Sequence, residues 1–268
     1  MTYELDGVAI VTGAGGGLGR QCVLAFAAEG CSAVAGFDIS AETLTETEAA
    51  LKTEYPHVDF LPVTTDLSKE SDIEAAFKQT VDRYGRIDYL VNNAGAGIGL
   101  KRADEFTTAD YDLSHTINSK AVFLCQKYAL RQMMRQEKKA LKSVRTSTLR
   151  GDRRGAIVHV ASAIGLVGMK HHSAYCAGKA AAIALAKCAG IDFAKEGIRV
   201  NAVCPGWIDT PMVPLEAREA LKPNINIAAM ERMADPAEIA DAVVFLCSDR
   251  ASFITGQAIP VDGGYTTV

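Results

Sequence analysis

Tyr175 and Lys179 stand four residues apart, and Ser162 lies thirteen residues before the tyrosine. Together they could move a proton to or from an alcohol oxygen. A phenol titrates near pH ~10 in water and is a poor base at neutrality. A lysine one helical turn away shares its helix face, and its ammonium favours the phenolate, so Lys179 is expected to lower the Tyr175 pKa. The Ser162 hydroxyl would then hold the oxygen of an alcohol or ketone against Tyr175. Tyr-x-x-x-Lys also arises by chance on exposed helix faces, so its surroundings decide whether it is chemical.

The surroundings begin with Thr12-Gly13-Ala14-Gly15-Gly16-Gly17-Leu18-Gly19, between a first apolar run and a first helical pattern. Glycines there permit a tight turn and let backbone N–H groups approach a pyrophosphate at the positive end of a helix. Asp38 follows Gly19 by nineteen residues, at the end of the second apolar run. A carboxylate in that place accepts hydrogen bonds from ribose hydroxyls and repels a 2′-phosphate. Its neighbours Phe37, Ile39 and Ser40 bring no cation. NAD is therefore expected over NADP; the plainer reading of Asp38 is a solvated helix cap.

Elements that could position these residues alternate along the chain. Residues 8–12, 32–38, 58–64, 87–92, 156–162, 198–204 and 257–261 read as strands, and 18–29 carries apolar residues at helical spacing. Helical patterns separate nearly all the strands. The expectation is one α/β domain over residues 1–268: a Rossmann fold, with a doubly wound parallel sheet of about seven strands and helices on both faces. Residues 136–155 are the exception, since they exceed an ordinary helix-to-strand connection. Seven basic residues there face only Glu137 and Asp152. The stretch reads as a solvated, mobile surface insert; the alternative is a dock for an acidic partner or a neighbouring subunit. Its position at the N-terminal edge of the sheet argues against a part in the chemistry.

Composition narrows the class. A chain of 268 residues, 49% hydrophobic with a net charge of −4, can bury a core and offers no general attraction to nucleic acid. Seven cysteines without Cys-x-x-Cys spacing suggest neither disulfides nor zinc, and five histidines show no ligand spacing. Acid near the start, at Glu4 and Asp6, is unlike a signal peptide, and no apolar run approaches the roughly 18 residues of a membrane span. The expectation is a cytoplasmic protein with no metal, nucleic-acid or membrane partner.

Taken together, these residues resemble the short-chain dehydrogenase/reductase family nearly end to end. Gly13, Gly17 and Gly19 fit its glycine motif, with Leu18 between them, and Asp66 fits its adenine-contacting aspartate. Asn92-Asn93-Ala94-Gly95 fits its sheet-stabilising turn beside the cofactor. Asn118, Ser162, Tyr175 and Lys179 fall on its catalytic tetrad, and Pro205-Gly206, Ile208 and Thr210 on its nicotinamide-contacting segment. Val261-Asp262-Gly263-Gly264 matches the usual ending. The basic insert departs from the pattern, as does His159, where the family often has asparagine; His159 reads as sheet packing.

The resemblance implies hydride transfer between NAD(H) and a secondary alcohol or ketone, with Tyr175 as general acid/base. It implies that Lys179 binds the nicotinamide ribose and that Asn118 holds a water beside it. Residues 207–233 resemble a variable substrate lid, which Pro211, Pro214 and Pro223 are expected to break into short pieces. Trp207, Met212 and Val213, with Ala96, Ile98, Ile164 and Leu166, are candidates for an apolar substrate pocket, or ordinary core. His171 and His172 read as surface residues, with contact to substrate the alternative. Small residues on several faces of the helix after Tyr175, together with family habit, point to a homotetramer, or failing that a homodimer. An NADPH-dependent ketoreductase and a catalytically silent NAD-binding sensor or scaffold are the competing functions.

Overall fold

The structure, a computed structural model, describes residues 5–142, 146 and 148–267. Seven parallel strands form its sheet: β1 (Val8–Thr12), β2 (Ala33–Asp38), β3 (Asp59–Thr64), β4 (Tyr89–Asn92), β7 (Gly155–Val160), β8 (Ile198–Pro205) and β9 (Ala258–Val261). Their spatial order is β3-β2-β1-β4-β7-β8-β9. Strands on one side of β1 are added in one direction and those from β4 onward in the other. A crevice therefore opens at the carboxyl ends of β1 and β4, where a doubly wound sheet binds ligands.

Alternation along each strand splits the core into two layers. Ala9 and Val11 of β1, with Tyr89 and Val91 of β4, pack with Phe26 of α1 (Gly17–Ala28), Leu44 and Leu51 of α2 (Ala41–Glu54), and Val243 of α8 (Pro236–Cys247). Ile10 and Leu90 point the other way. They join Phe77 of α3 (Glu70–Tyr84), Met133 of α5 (Ala121–Met133) and Ile183 of α6 (Ser173–Asp192). Burial on both faces explains why these strands read as unbroken apolar runs. By length and composition α6 could cross a membrane. It packs instead against β8 and a π-helical turn, Thr116–Lys120, that joins α4 (Thr108–His115) to α5, and it buries Lys179. Its apolarity is that of a core helix.

The basic insert is largely exposed, as expected, but it does not extend a helix. It folds back as an antiparallel hairpin, β5 (Lys139–Lys142) against β6 (Leu149–Arg153), with Lys139 opposite Arg153. The reason is electrostatic. Lys139 pairs with Asp6 at 2.9 Å and with the fully buried Asp88 at 3.3 Å. Arg153 pairs with Asp6 and, at 3.0 Å, with Asp249. Arg154 donates to the carbonyls of Met134 and Gln136. Arg145 lies outside the described residues. These pairs sit at the N-terminal side of the sheet, opposite the crevice, as the topology requires.

The lid is also more regular than its prolines suggest. Pro214 occupies the N-cap position of α7 (Leu215–Ile225), and Pro223 lies within its last turn. A proline N-terminal to the first turn costs no hydrogen bond. The two ends of the lid are pinned together, Ala234 N–H donating to Trp207 O at 2.8 Å and Asp209 N–H to Ala234 O at 2.9 Å.

Candidate active site

The crevice is a cleft of about 930 Å³, running from Asp38 and Asp66 at one end to Tyr175 and the lid at the other. Its floor is the turn between β1 and α1. Gly13 has φ +65° and Gly17 +51°, both left-handed values that favour glycine. A Cβ on Gly19 would overlap the Gly13 carbonyl oxygen, so only glycine lets α1 start this close to the strand. No side chain caps α1 at Gly16 and no acidic residue lies in its first turn. That leaves an uncompensated positive helix end facing the cleft, a cradle that fits a pyrophosphate.

Asp38 lines the cleft where β2 ends. Its Oδ2 accepts the Gly15 N–H at 2.9 Å and its Oδ1 the Ser40 N–H at 3.1 Å. The carboxylate is thus held in place by two backbone donors while it borders the cavity. Asp66 lines the same end, and its carboxylate accepts from Ser68 and pairs with Lys69. Hydrogen bonds from Ser68, followed by Lys69, hold it below the usual carboxylate range. Arg20 is the cation beside this turn, but its guanidinium is committed to Glu46, Thr47 and the Gly15 carbonyl.

Asn93, Ala94 and Gly95 cross the cleft above β1, tied down by a residue that motif spacing did not single out. Thr12 Oγ1 accepts both the Asn93 and Ala94 N–H groups, at 3.0 and 3.1 Å. Asn93 Nδ2 returns to the carbonyls of Thr12 and Gly13. A hydroxyl ending a buried strand beside a glycine turn was the available signal.

At the far end, Ser162, Tyr175 and Lys179 converge on the cleft, and Asn118 lies buried behind them. Lys179 is 4% exposed, donates to Val160 O at 2.8 Å, and places its ammonium 5.6 Å from the Tyr175 ring centre. Burial lowers the Lys179 pKa to about 8. Burial likewise pushes the Tyr175 phenol up to about 12, against a downward pull from its Ser162 hydrogen bond. The expected depression of Tyr175 by Lys179 is thus reversed in net sign. Burial sets the direction; the Lys179 ammonium, turned toward the Val160 carbonyl, is not among the groups that shift the phenol.

The Asn118 amide is fully engaged: Oδ1 accepts the Ala96 N–H at 3.1 Å, and Nδ2 donates to Ala96 O and Ser114 Oγ. A Cβ on Gly95 would lie 3.0 Å from Lys179 Nζ and 3.1 Å from Asn118 Oδ1, which locates both heads at this turn. Gly178 lets α6 approach Asn118 closely. His159 does pack within the sheet layer, between Asn92 Nδ2 at 3.1 Å and Gln126 Oε1 at 2.7 Å. Burial lowers its pKa to about 3.

Pro205, Gly206, Ile208 and Thr210 line the cleft roof, and Thr210 comes within van der Waals reach of the space above Gly17. Of the apolar candidates, Ala96, Ile98, Ile164, Trp207, Met212 and Val213 line the cleft. Leu166 does not; it is 39% exposed beyond the turn that follows Ser162. His172 lines the cleft and His171 is exposed, so the surface reading holds for only one of the pair. Tyr265 and Leu221 also line it, the first just past the Val-Asp-Gly-Gly ending and the second on α7.

Residues 13–266 match a family model described as enoyl-(acyl carrier protein) reductase. The short-chain dehydrogenase fogB of Aspergillus ruber is 40% identical over 271 residues, covering 98% of each chain. The crystal structure of levodione reductase superposes with a TM-score of 0.88 at 33% identity, covering 100% of this chain and 99% of that one. A 3-ketoacyl-(acyl-carrier-protein) reductase from Brucella melitensis, complexed with NADH, gives a TM-score of 0.82 at 28% identity, covering 97% of this chain and 98% of that one. With a seven-stranded parallel sheet, a glycine-turn cradle and a Ser-Tyr-Lys cluster at the crevice, the chain belongs to the short-chain dehydrogenase/reductase family of oxidoreductases.

Proposed function

We propose that this protein is an NAD(H)-dependent dehydrogenase of a secondary alcohol, reducing the corresponding ketone in reverse. The observation that carries the reading is the pair of groups at the two ends of one cleft: Asp38 at the adenosine end, Ser162 with Tyr175 at the reacting end. A bound nicotinamide accepts or supplies the hydride. The glycine turn and the first-turn amides of α1 would hold its pyrophosphate, Asp38 its adenosine ribose and Asp66 its adenine. Asn93, Ala94, Gly95, Pro205, Gly206, Ile208 and Thr210 would border its nicotinamide half.

Ser162 positions the substrate oxygen and Tyr175 exchanges a proton with it. A phenol raised toward 12 is protonated at neutral pH, which suits the acid needed for ketone reduction. For oxidation, the positive charge of the oxidised nicotinamide would favour the phenolate. Lys179 holds the nicotinamide ribose and relays the proton. The Asn118 amide bonds Ala96 and Ser114 and so fixes the turn after Gly95 beside Lys179.

An NADPH-dependent ketoreductase would need a cation at Asp38, and Arg20 is spent elsewhere. A silent NAD-binding scaffold would have no use for a complete Ser-Tyr-Lys cluster with its buried ammonium. The substrate is a small molecule with an apolar body, given the wall of Ile98, Ile164, Trp207 and Met212. We place the enzyme in the cytoplasm as a homotetramer. Ala177, Ala180, Ala184 and Ile191 leave one exposed stripe on α6, and Phe123 stands 46% exposed on α5. A monomer by light scattering at micromolar concentration would defeat the assembly.

The test of function is nicotinamide reduction by the purified protein, with NAD and NADP in parallel, across cyclic, aromatic and aliphatic secondary alcohols. Turnover with NAD alone is expected. Turnover with NADP alone would overturn the cofactor assignment, and silence with both, given demonstrated NAD binding, would favour the scaffold.

A further inference from the structure

His172 stands at the N-cap position of α6 yet caps nothing, for its side chain accepts no hydrogen bond from the first turn. The ring instead borders the cleft, as do Met169 three residues before it and Tyr175 three residues after. His172 and Tyr175 therefore border the same cleft, one at the N-cap of α6 and the other in its first turn. The backbone is distorted to put it there. His171 has φ +64°, a left-handed value uncommon for a residue with a Cβ, and its carbonyl accepts the Lys101 N–H at 3.2 Å. That bond fastens the segment before α6 to the loop after Gly95. Strain of this kind persists where surrounding structure imposes it, often beside a functional site.

The ring's protonation pattern follows from one contact. His172 Nδ1 lies 2.7 Å from Lys170 O, and a carbonyl can only accept, so Nδ1 carries the hydrogen. In the tautomer with its hydrogen on Nδ1, Nε2 is an acceptor, with no protein partner among the described residues. An acceptor that borders the cleft without a protein partner can take a donor from the ligand.

We infer that His172 accepts a hydrogen bond from a second oxygen of the substrate, a hydroxyl a few bonds from the reacting carbon. The substrate class is then a hydroxyketone and the corresponding diol. This deepens the dehydrogenase reading above and rests on it. A carboxylate or a second bare carbonyl brings no donor to Nε2 and is disfavoured.

The test compares NADH-driven reduction of cyclohexanone with that of two hydroxycyclohexanones, bearing the hydroxyl on the adjacent or the next carbon. The wild type should prefer at least one hydroxyketone in kcat/KM by roughly 3- to 10-fold, the worth of one neutral hydrogen bond. His172→Phe should bring that ratio close to one, while His172→Gln, whose amide oxygen can accept, should keep most of it. A general packing defect would lower both substrates together and leave the ratio intact. Turnover with no preference in the wild type, or a ratio that survives His172→Phe, overturns this inference alone. Absence of turnover with all three ketones, despite NADH binding, overturns the dehydrogenase reading and this inference with it.

Discussion

Replacing Asp38 by asparagine keeps its shape and one of its two acceptor oxygens, so one of the Gly15 and Ser40 N–H groups loses its partner, and it removes the charge. The expected change can be worked from the geometry. A 2′-phosphate on the adenosine ribose would come within about 5 Å of the carboxylate. At an effective dielectric of about 20 the repulsion is ~3 kcal/mol per unit of phosphate charge, and solvent in the open cleft reduces it to about 2 kcal/mol. Each ribose hydroxyl donating to a charged acceptor also contributes ~1.5 kcal/mol or more on the NAD side. The wild type should therefore prefer NAD over NADP by roughly 10²-fold or more in kcat/KM, at about 1.4 kcal/mol per tenfold. Asp38→Asn should cut that preference by about 30-fold, chiefly by admitting NADP. Initial rates with both cofactors at fixed alcohol, repeated at low and moderate salt, read this directly. An Asp38→Asn enzyme with the wild-type cofactor ratio would refute the reasoning, because Asp38 is the carboxylate that two backbone donors hold at that end of the turn.

Two further predictions concern stability. Burial holds His159 near 3 in the folded state against 6.5 in its ordinary state. Below about 6.5 the unfolded chain takes up a proton that the folded chain refuses, so stability should fall as pH drops from about 6.5 toward 3. His159→Asn should move the midpoint of acid unfolding, followed by circular dichroism, to lower pH; an unmoved midpoint would contradict the assignment. Asp88 is fully buried, accepts the Val8 N–H at 3.0 Å and pairs with Arg86 and Lys139. Asp88→Ala should destabilise the protein by about 3 kcal/mol, at the low end for a broken buried pair because both cations are partly solvated. Urea midpoints at constant slope check it, and a loss under about 1 kcal/mol would mean the hairpin is held by other contacts.

The parts of the structure legible in the sequence are those whose signal is local. Strands buried on both faces read as apolar runs, Asp38 is marked by its place at the end of one of them, and the glycine turn and the Tyr175–Lys179 spacing are short-range patterns. The hairpin was not legible, because Lys139–Lys142 and Leu149–Arg153 carry charge where a strand pattern carries alternation. Its stabilising partners, Asp6, Asp88 and Asp249, lie about 50 to 150 residues away along the chain. The helix Leu215–Ile225 was hidden by its prolines: Pro214 falls at the cap, where it costs no hydrogen bond, while Pro223 lies inside the last turn and removes one helical N–H donor. Helical spacing placed a charge one turn from Tyr175 but could not show how deeply both groups are buried, and burial sets the direction of the Tyr175 shift. Substrate contact was the alternative reading of both histidines, and spacing could not show that only His172 reaches the cleft.

The central claim is that Tyr175 passes the proton while the rest of the cleft binds cofactor. Tyr175→Phe removes one oxygen and nothing that the glycine turn or Asp38 needs. The measurement is NADH binding by fluorescence titration, beside steady-state reduction of the best ketone found. Turnover should fall by at least roughly 10²-fold, the scale of general acid catalysis, with NADH affinity within a few-fold of wild type. Turnover within tenfold of the wild type would contradict the assignment of Tyr175 as the acid/base.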